Sequence, residues 1–583
     1  MQAAELPGTV LTNKASNNGI SAWVFMDKVC AIVDNVVNDN PDEKRSPAGV
    51  ICLLANSIGG NEGDRFDVRF DRAWFLVLVA DAEPAHLERE LYNYIMANLS
   101  WMSPDYPVDK YNGPPRNVAY IDQVNFDPSL QPKHYEIAGT DPNSKVLILD
   151  VEIIDATGRE PYRGDVLIIG QKFARVGNVP NKDALLADSK VRVFYGKGRT
   201  LMPGMGDAHT HFTWNGGDLD ALGDLGVEEH TLLTARSAEC YLDSGYTMCF
   251  GAASAKKRLD VVIRDAINAG DIPGPRYLAN GMEMARRGGE LVGGITAFAD
   301  GPEEMRKVIR EHVEIGVDQI KLSMSGESIT EIRDAEDCYF TPEETAACVD
   351  EAHKYNKRVC SHARARDSVK QSIDHGVDVI YHASYIDEEG MDALERNKSK
   401  HIVAPGINWI IATLKDAAMF GYSTEKAEQV GYQKELETAE RGMREMHRRG
   451  IVVLPGGDYG FAWTPHGTYA RDLVHFVERF GFTPHEAIIA ATYGVAKLFM
   501  RSHEMGQIKE GNYADCVVVD GKPLQNIAIL QEHDLLNIII INGRIHKAGR
   551  KEYVLPAQDA TGVHSMTNEM ARVGMRGQTQ TAF

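Results

Sequence analysis

From about residue 200 to residue 500 the chain alternates short apolar runs with amphipathic stretches, and nothing else in it restricts the fold as strongly. Eight runs read as strands: TLMPGMGDAHTHF, YTMCFGA, RYLANGM, QIKLSMSG, RVCSHA, DVIYHA, HIVAPGI and IVVLPGGD. Between them lie helix-like stretches such as KKRLDVVIRDAINAG, PEEMRKVIREHVEIG, TPEETAACVDEAHKYN and DSVKQSIDHG. Several of these end at Gly, which takes the left-handed C-cap conformation without a Cβ penalty. TPEE supplies an N-cap, a Pro at the first helical position and early acids. Strand–helix alternation predicts an α/β fold with a parallel sheet. Eight repeats in about 250 residues fit a (β/α)8 TIM barrel best. A doubly wound open sheet is the competing arrangement, although neither G-x-G-x-x-G nor a Walker A motif stands at a strand–helix turn.

The barrel region, residues 201–503, is flanked by β-rich segments. KVLILDVEIID, GDVLIIGQKFARVG and VRVFYGKGRTLMPG precede it, and MGQIKEGNYADCVVVDG and IIIINGRIHKAG follow it. A split β-sandwich built from residues 145–200 and 504–560 accounts for both groups; two unrelated hairpin clusters are the alternative. Residues 1–140 read as an extra N-terminal α+β domain with no recognisable chemistry. Residues 103–143 are rich in Pro, Asn, Asp and Tyr and read as an ordered loop or linker. Residues 565–583 read as a flexible polar tail.

The length of 583 residues allows two to four domains at roughly 150 residues each. With 62 Lys+Arg against 83 Asp+Glu the net charge is −21, which argues against a nucleic-acid binder or an anionic membrane surface. The 8 cysteines form no C-x-x-C pair, so a Cys-based metal ribbon is not expected. No apolar run reaches about 18 residues and the N-terminus lacks a signal-like pattern, so the expectation is a cytoplasmic protein with no membrane partner.

In a barrel enzyme the functional groups stand at the C-terminal ends of the strands. Here those ends carry His209 and His211 in DAHTH, Lys321, His362, His382 and Asp458. Residues two apart in a strand point the same way, so His209 and His211 can face one cation together. Each histidine alone is more often a satisfied core residue; their joint occurrence on one face is what points to metal. Zinc suits imidazole and carboxylate ligands. Lys321 would be costly to bury unpaired. It is either snorkelling, paired with Asp458, or carbamylated by CO2 into a carboxylate-like metal bridge.

The stretches PGMGDAHTHF, LDSGYTMCFGAAS, IPGPRYLANG, VDQIKLSMSGE, TPEETAACVDEAHKYNKRVCSHA, HGVDVIYHA, LPGGDYG, FTPHEAIIAATYGVAKLF and MGQIKEGNYADCVVVDG together resemble the amidohydrolase superfamily over residues 145–550. Within it they look like the imidazolonepropionase-related and prolidase-like members. The resemblance implies a binuclear centre of two divalent ions, most simply zinc. His209 and His211 would bind the buried metal, His362 and His382 the exposed one, and carbamylated Lys321 both. Asp458 would contact the buried metal and handle protons, with a bridging hydroxide as nucleophile.

That reading makes the chain a metal-dependent amidohydrolase, a homo-oligomer acting on an amide-type C–N bond of a small-molecule N-acyl or cyclic amide, or a dipeptidase-like enzyme. A metal-dependent decarboxylase or other lyase of the same superfamily is the alternative, and a non-catalytic scaffold a further one. Relatives often carry Gly-Gly-His after the third strand, whereas this chain has NGMEMARRGGELVGG without a His. Arg286 and Arg287 stand there and could take a substrate carboxylate, or form a solvated loop. Arg364, Arg366 and Tyr385 are further candidate pocket residues, with surface placement equally open, and His466, in TPHGTYARDL, matches a His-Gly in relatives and is a candidate near the pocket.

Overall fold

The computed structural model describes residues 116–133, 136–216, 219–330 and 333–548. The expectations for residues 1–115 and for the 565–583 tail lie outside the described residues. All described residues belong to one of two units of the chain, Asn112–Phe583.

Seven of the eight anticipated runs become strands in parallel sheets. Met205–Thr210, Tyr246–Gly251 and Arg276–Leu278 form a sheet of three. Thr296–Phe298, Glu283–Ala285, Gln319–Ser323, Arg358–Ala363, Val379–His382 and Ile402–Ala404 lie in that order in a sheet of six. Most of these strands are buried along their whole length, as parallel strands covered by helices must be. The crossover helices Leu259–Ala269, Gly301–Ile315 and Arg366–His375 stop at left-handed Gly270, Gly316 and Gly376. Pro342–Lys354 starts in a full capping box between Thr341 and Glu344.

The eighth run, IVVLPGGD, makes a single parallel bridge, Val403 to Val453. Pro455 has no N–H to offer a ladder, and the chain then turns, with Asp458 at φ 59°. Side chains bridge the gap between the two sheets. Gln319 Nε2 donates to the carbonyls of Gly251 (2.7 Å) and Leu278 (2.9 Å). Asp318 Oδ2 accepts from Ala279 N at 2.8 Å, and Asp318 N donates to Ala279 O at 2.8 Å. On the other side Ala208 N donates to Pro455 O at 3.0 Å. Among the described residues no continuous ladder closes these strands into one ring.

The segment TLMPGMGDAHTHF holds two strands rather than one. Thr200–Pro203 belongs to a separate eight-stranded sheet, and the chain passes into Met205–Thr210 at Gly204, where a Cβ would run into Thr247. That sheet combines both flanks of the sequence. Lys145–Ile153, Tyr162–Ile169, Lys172–Gly177 and Val191–Tyr195 come from one side, and Cys516–Val519, Leu536–Ile541 and Arg544–Lys547 from the other. Cys516–Val519 lies antiparallel to Thr200–Pro203, which joins the two contributions. Arg276, at the start of a parallel strand, bonds Asp515 (2.7 Å) and Asn542 (3.0 Å), which flank the strands Cys516–Val519 and Leu536–Ile541 of the eight-stranded sheet.

Part of the stretch read as a loop or linker is helical: Arg116–Gln123 buries Ile121 in the main core. Asn117 Nδ2 donates to Glu486 O (2.5 Å) and Tyr493 OH to Asp122 Oδ1 (2.6 Å). Three helices not anticipated, Ile407–Lys415, Thr424–Gln429 and Tyr432–Arg449, stand between the last two strand-like runs. No helix among the described residues is long and apolar enough to cross a membrane.

Candidate metal centre

The alternation in DAHTH sends His209 and His211 to the same side, and Asp207 fastens them from behind. Asp207 Oδ1 accepts from His209 N (2.7 Å) and Oδ2 from Tyr241 OH (2.9 Å). Burial raises the Asp207 carboxyl to about 7. Asp458 reaches the pair from the end of the eighth run. Its Oδ1 lies 3.1 Å from His211 Nε2 and 3.6 Å from His209 Nε2. All three residues are buried, and their ligand atoms lie within 4.8 Å of one another. Gly456 permits this approach, since a Cβ there would stand 2.7 Å from His209 N.

His362 and His382 come from adjacent strands, with ring centroids 4.5 Å apart, and His382 is 5.2 Å from His209. His382 has φ 67°, a strained conformation for a residue with a side chain. Gly406 leaves space for its ring, because a Cβ there would lie 2.7 Å from His382 Nδ1. Lys321 is 2% exposed, with its Nζ 4.5 Å from the centre of the Tyr381 ring. Tyr381 in turn stacks on His209 at 3.8 Å. The structure therefore gathers His209, His211, Lys321, His362, His382 and Asp458 around one space.

Hydrogen bonds select which nitrogens face that space. His211 donates from Nδ1 to Ala253 O (3.2 Å), leaving Nε2 toward Asp458. His362 uses Nε2 on Gly326 O (3.1 Å), leaving Nδ1. His209 Nδ1 and both ring nitrogens of His382 are buried without a hydrogen-bond partner among the described residues. Burial lowers His209, His362 and His382 well below the usual imidazole value, and the Arg364 guanidinium adds to this at His362 and His382. Neutral imidazoles keep the lone pairs that a cation needs. For Asp458 burial acts upward, but His209, His211 and Lys321 outweigh it and hold the carboxyl well below the usual range.

The other candidate residues are placed differently. Arg364 is fully buried and binds Glu327 (2.5 Å) and Glu435 (2.6 Å), and Tyr432 OH donates to Glu327 at 2.5 Å. Burial pushes the Glu327 carboxyl up in spite of the guanidinium beside it. Arg286 pairs with Glu344 at 3.2 Å and donates to Tyr339 O at 3.1 Å. Arg287 and Arg366 pair on the surface with Asp300 and Asp367. Tyr385 is half-buried, 5.4 Å below Lys434. His466 is buried between Tyr469 OH (3.0 Å) and Trp214 O (2.8 Å), and burial lowers it to about 4. Trp214 stacks on His211 at 4.4 Å, so His466 braces the residue that packs against His211.

Reading the sequence missed Glu283, Glu327, Tyr432 and Glu435. Glu283 opens the short strand Glu283–Ala285, is 6% exposed and lies within electrostatic reach of Lys321, His211 and Asp458. A lone Glu in an otherwise apolar strand was the available signal. Glu435 lies on a helix whose packing no local pattern reveals.

With this geometry in place, comparison with known proteins is decisive: residues 200–546 match the Amidohydrolase family profile. The chain belongs to the amidohydrolase family. It is an enzyme of the hydrolase class. This amidohydrolase is 27% identical over 454 residues to the ochratoxinase of Aspergillus niger, covering 72% of this chain and 90% of that protein. The crystal structure of A. niger ochratoxinase superposes with a TM-score of 0.60 at 25% identity, covering 72% of this chain and 100% of the other. A Xaa-Pro dipeptidase with bound methionine in its active site superposes with a TM-score of 0.61 at 25% identity, over 69% and 99% of the two chains. The chain is 21% identical over 410 residues to the imidazolonepropionase of Flavobacterium psychrophilum, covering 65% of this chain and 91% of that one.

Proposed function

We propose that this amidohydrolase uses two divalent metal ions, most simply zinc, to hydrolyse an amide-type C–N bond of a small N-acyl or cyclic amide. One observation carries the reading: His382 keeps both ring nitrogens buried without hydrogen-bond partners among the described residues. Leaving such atoms unsatisfied is costly, and a cation relieves that cost. The donor set fits. His209, His211 and Asp458 would hold one ion, His362 and His382 the other, and Lys321 as a carbamate would lie between them.

Bound metal ions make water nucleophilic near neutral pH and draw electrons from a carbonyl. The chain's own residues do the rest. Asp458 accepts the proton of the attacking water and passes it to the leaving nitrogen, which departs only when protonated. Asp207 and Trp214 hold His209 and His211 in place from behind. The two parallel sheets act as arcs of one closed eightfold barrel, which the bridging bonds of Asp318, Gln319 and Ala208 support, and the eight-stranded sheet belongs to a flanking β-sandwich. A cytoplasmic homo-oligomer is the assembly we favour.

The test is turnover of an amide panel in ¹⁸O-labelled water. Hydrolysis puts one labelled oxygen into the product carboxylate. Release of CO2 with no labelled carboxylate would favour the lyase reading instead.

A further inference from the structure

A histidine that binds metal needs something besides the metal to fix the plane of its ring, and the usual device is a hydrogen bond from the second ring nitrogen. His211 has one through Nδ1 to Ala253 O (3.2 Å), and His362 has one through Nε2 to Gly326 O (3.1 Å). His209 has none. Its Nε2 is the nitrogen toward Asp458 (3.6 Å), and its Nδ1 is buried without a hydrogen-bond partner among the described residues. Asp207 anchors the backbone of His209, through His209 N (2.7 Å), and leaves the ring free to turn.

What lies against that ring is Tyr381. The two rings are within 14° of parallel, with centroids 3.8 Å apart, and Tyr381 is fully buried. Strand register puts it there. Tyr381 pairs with His362, and His362 with Ser323, two residues beyond Lys321. Register partners share a face, as do residues two apart in one strand, so Tyr381 stands in the row of Lys321 and His362. Alternation would turn the next residue, His382, away from this row. Its φ of 67° brings it back, 5.2 Å from His209. The Tyr381 hydroxyl is buried and makes no hydrogen bond among the described residues, so the ring is the part of this side chain in use at the site. Lys321 Nζ lies 4.5 Å from the centre of the same ring, within the range at which a ring face attracts an ammonium.

We infer that Tyr381 is a positioning residue for metal binding: its ring face, in place of a hydrogen bond, holds the His209 imidazole in the plane from which Nε2 reaches the cation. Stacked rings are held by their contact area and by the electrostatics of their faces. The hydroxyl has no part in this, so a phenyl ring performs the same task. Trp214 is the internal comparison. It stacks on His211 at 4.4 Å and 5°, but His211 also keeps its hydrogen bond to Ala253, so its ring plane depends less on the stack. The inference rests on the metal-hydrolase reading and concerns how tightly the buried ion is held.

Zinc affinity, measured by competition with a chromophoric chelator, tests it. The proteins are wild type, Tyr381→Phe, Tyr381→Met and Trp214→Met, each with the unfolding midpoint of its metal-free form. Tyr381→Met should bind zinc about tenfold more weakly or worse. Tyr381→Phe should match wild type, and Trp214→Met should lose clearly less than Tyr381→Met. Wild-type affinity in Tyr381→Met overturns the inference alone. A loss in Tyr381→Phe does so too, by giving the role to the hydroxyl, as does an equal loss in Trp214→Met. A metal-free Tyr381→Met that no longer unfolds cooperatively also overturns it, by making the ring a packing element of the core. Failure of wild type to bind zinc overturns the metal-hydrolase reading and the inference with it.

Discussion

Asp458 Oδ1 stands 3.1 Å from His211 Nε2, so the ends of the first and the eighth strand-like runs meet at one point. Asp458 reaches it from a left-handed backbone, φ 59°, directly after two glycines whose missing side chains make room for His209 and Tyr459. Strain at such a residue persists only where its surroundings enforce it.

Asp458→Asn keeps the shape of this contact and removes the proton acceptor. Turnover should fall about a hundredfold or more, while metal stays bound. Steady-state kinetics beside metal analysis checks this, and a wild-type rate would remove Asp458 from proton transfer.

Gly406→Ala should disturb His382 without replacing any ligand. Gly406 has φ 58°, and the new Cβ would lie 2.7 Å from His382 Nδ1. The strain is about 1–3 kcal/mol, and the expected result is lower metal occupancy together with lower activity. Full occupancy would mean that His382 does not hold metal.

Arg364→Met leaves Glu327 and Glu435 buried without their shared cation. A loss of about 3–5 kcal/mol in unfolding free energy is expected, read from denaturant midpoints. Adding Glu435→Gln should recover part of it. A stability change below about 1 kcal/mol would show that the cluster is not closed as described.

His466 gives the stability a pH dependence. Its pKa falls from 6.5 to about 4 in the folded chain, so between those values the unfolded state binds the extra proton. Its contribution is therefore complete above about pH 6.5 and is lost as pH falls toward 4. The loss per pH unit is about 1.4 kcal/mol for one proton. His466→Gln should flatten the profile by that one-proton component in this window, measured by chemical denaturation at a series of pH values. Parallel profiles for the two proteins would contradict the buried, neutral state of His466.

Much of this was legible in the sequence because it is periodic or local. Glycine C-caps, the Thr341 capping box and the two-residue spacing of His209 and His211 are each written in a few neighbouring residues. IVVLPGGD looked like a full strand because its apolar content is right, yet Pro455 and the following turn reduce it to one bridge. Arg364 shows the opposite limit. Its partners Glu327 and Glu435 come from a loop and a helix distant in sequence, so a candidate substrate contact is engaged by the protein's own acids. Glu283 is inconspicuous for the same reason, since only the register of Met284 with Leu322 brings it to Lys321.

The central claim is that these six side chains hold two metal ions, and counting metal per chain tests it most directly. Protein purified without chelator and measured by inductively coupled plasma mass spectrometry should carry about two divalent ions, mainly zinc, per chain. His382→Ala should lower that number by about one. A single ion in wild type would contradict the binuclear account and favour the lyase alternative, and no metal after reconstitution would contradict both.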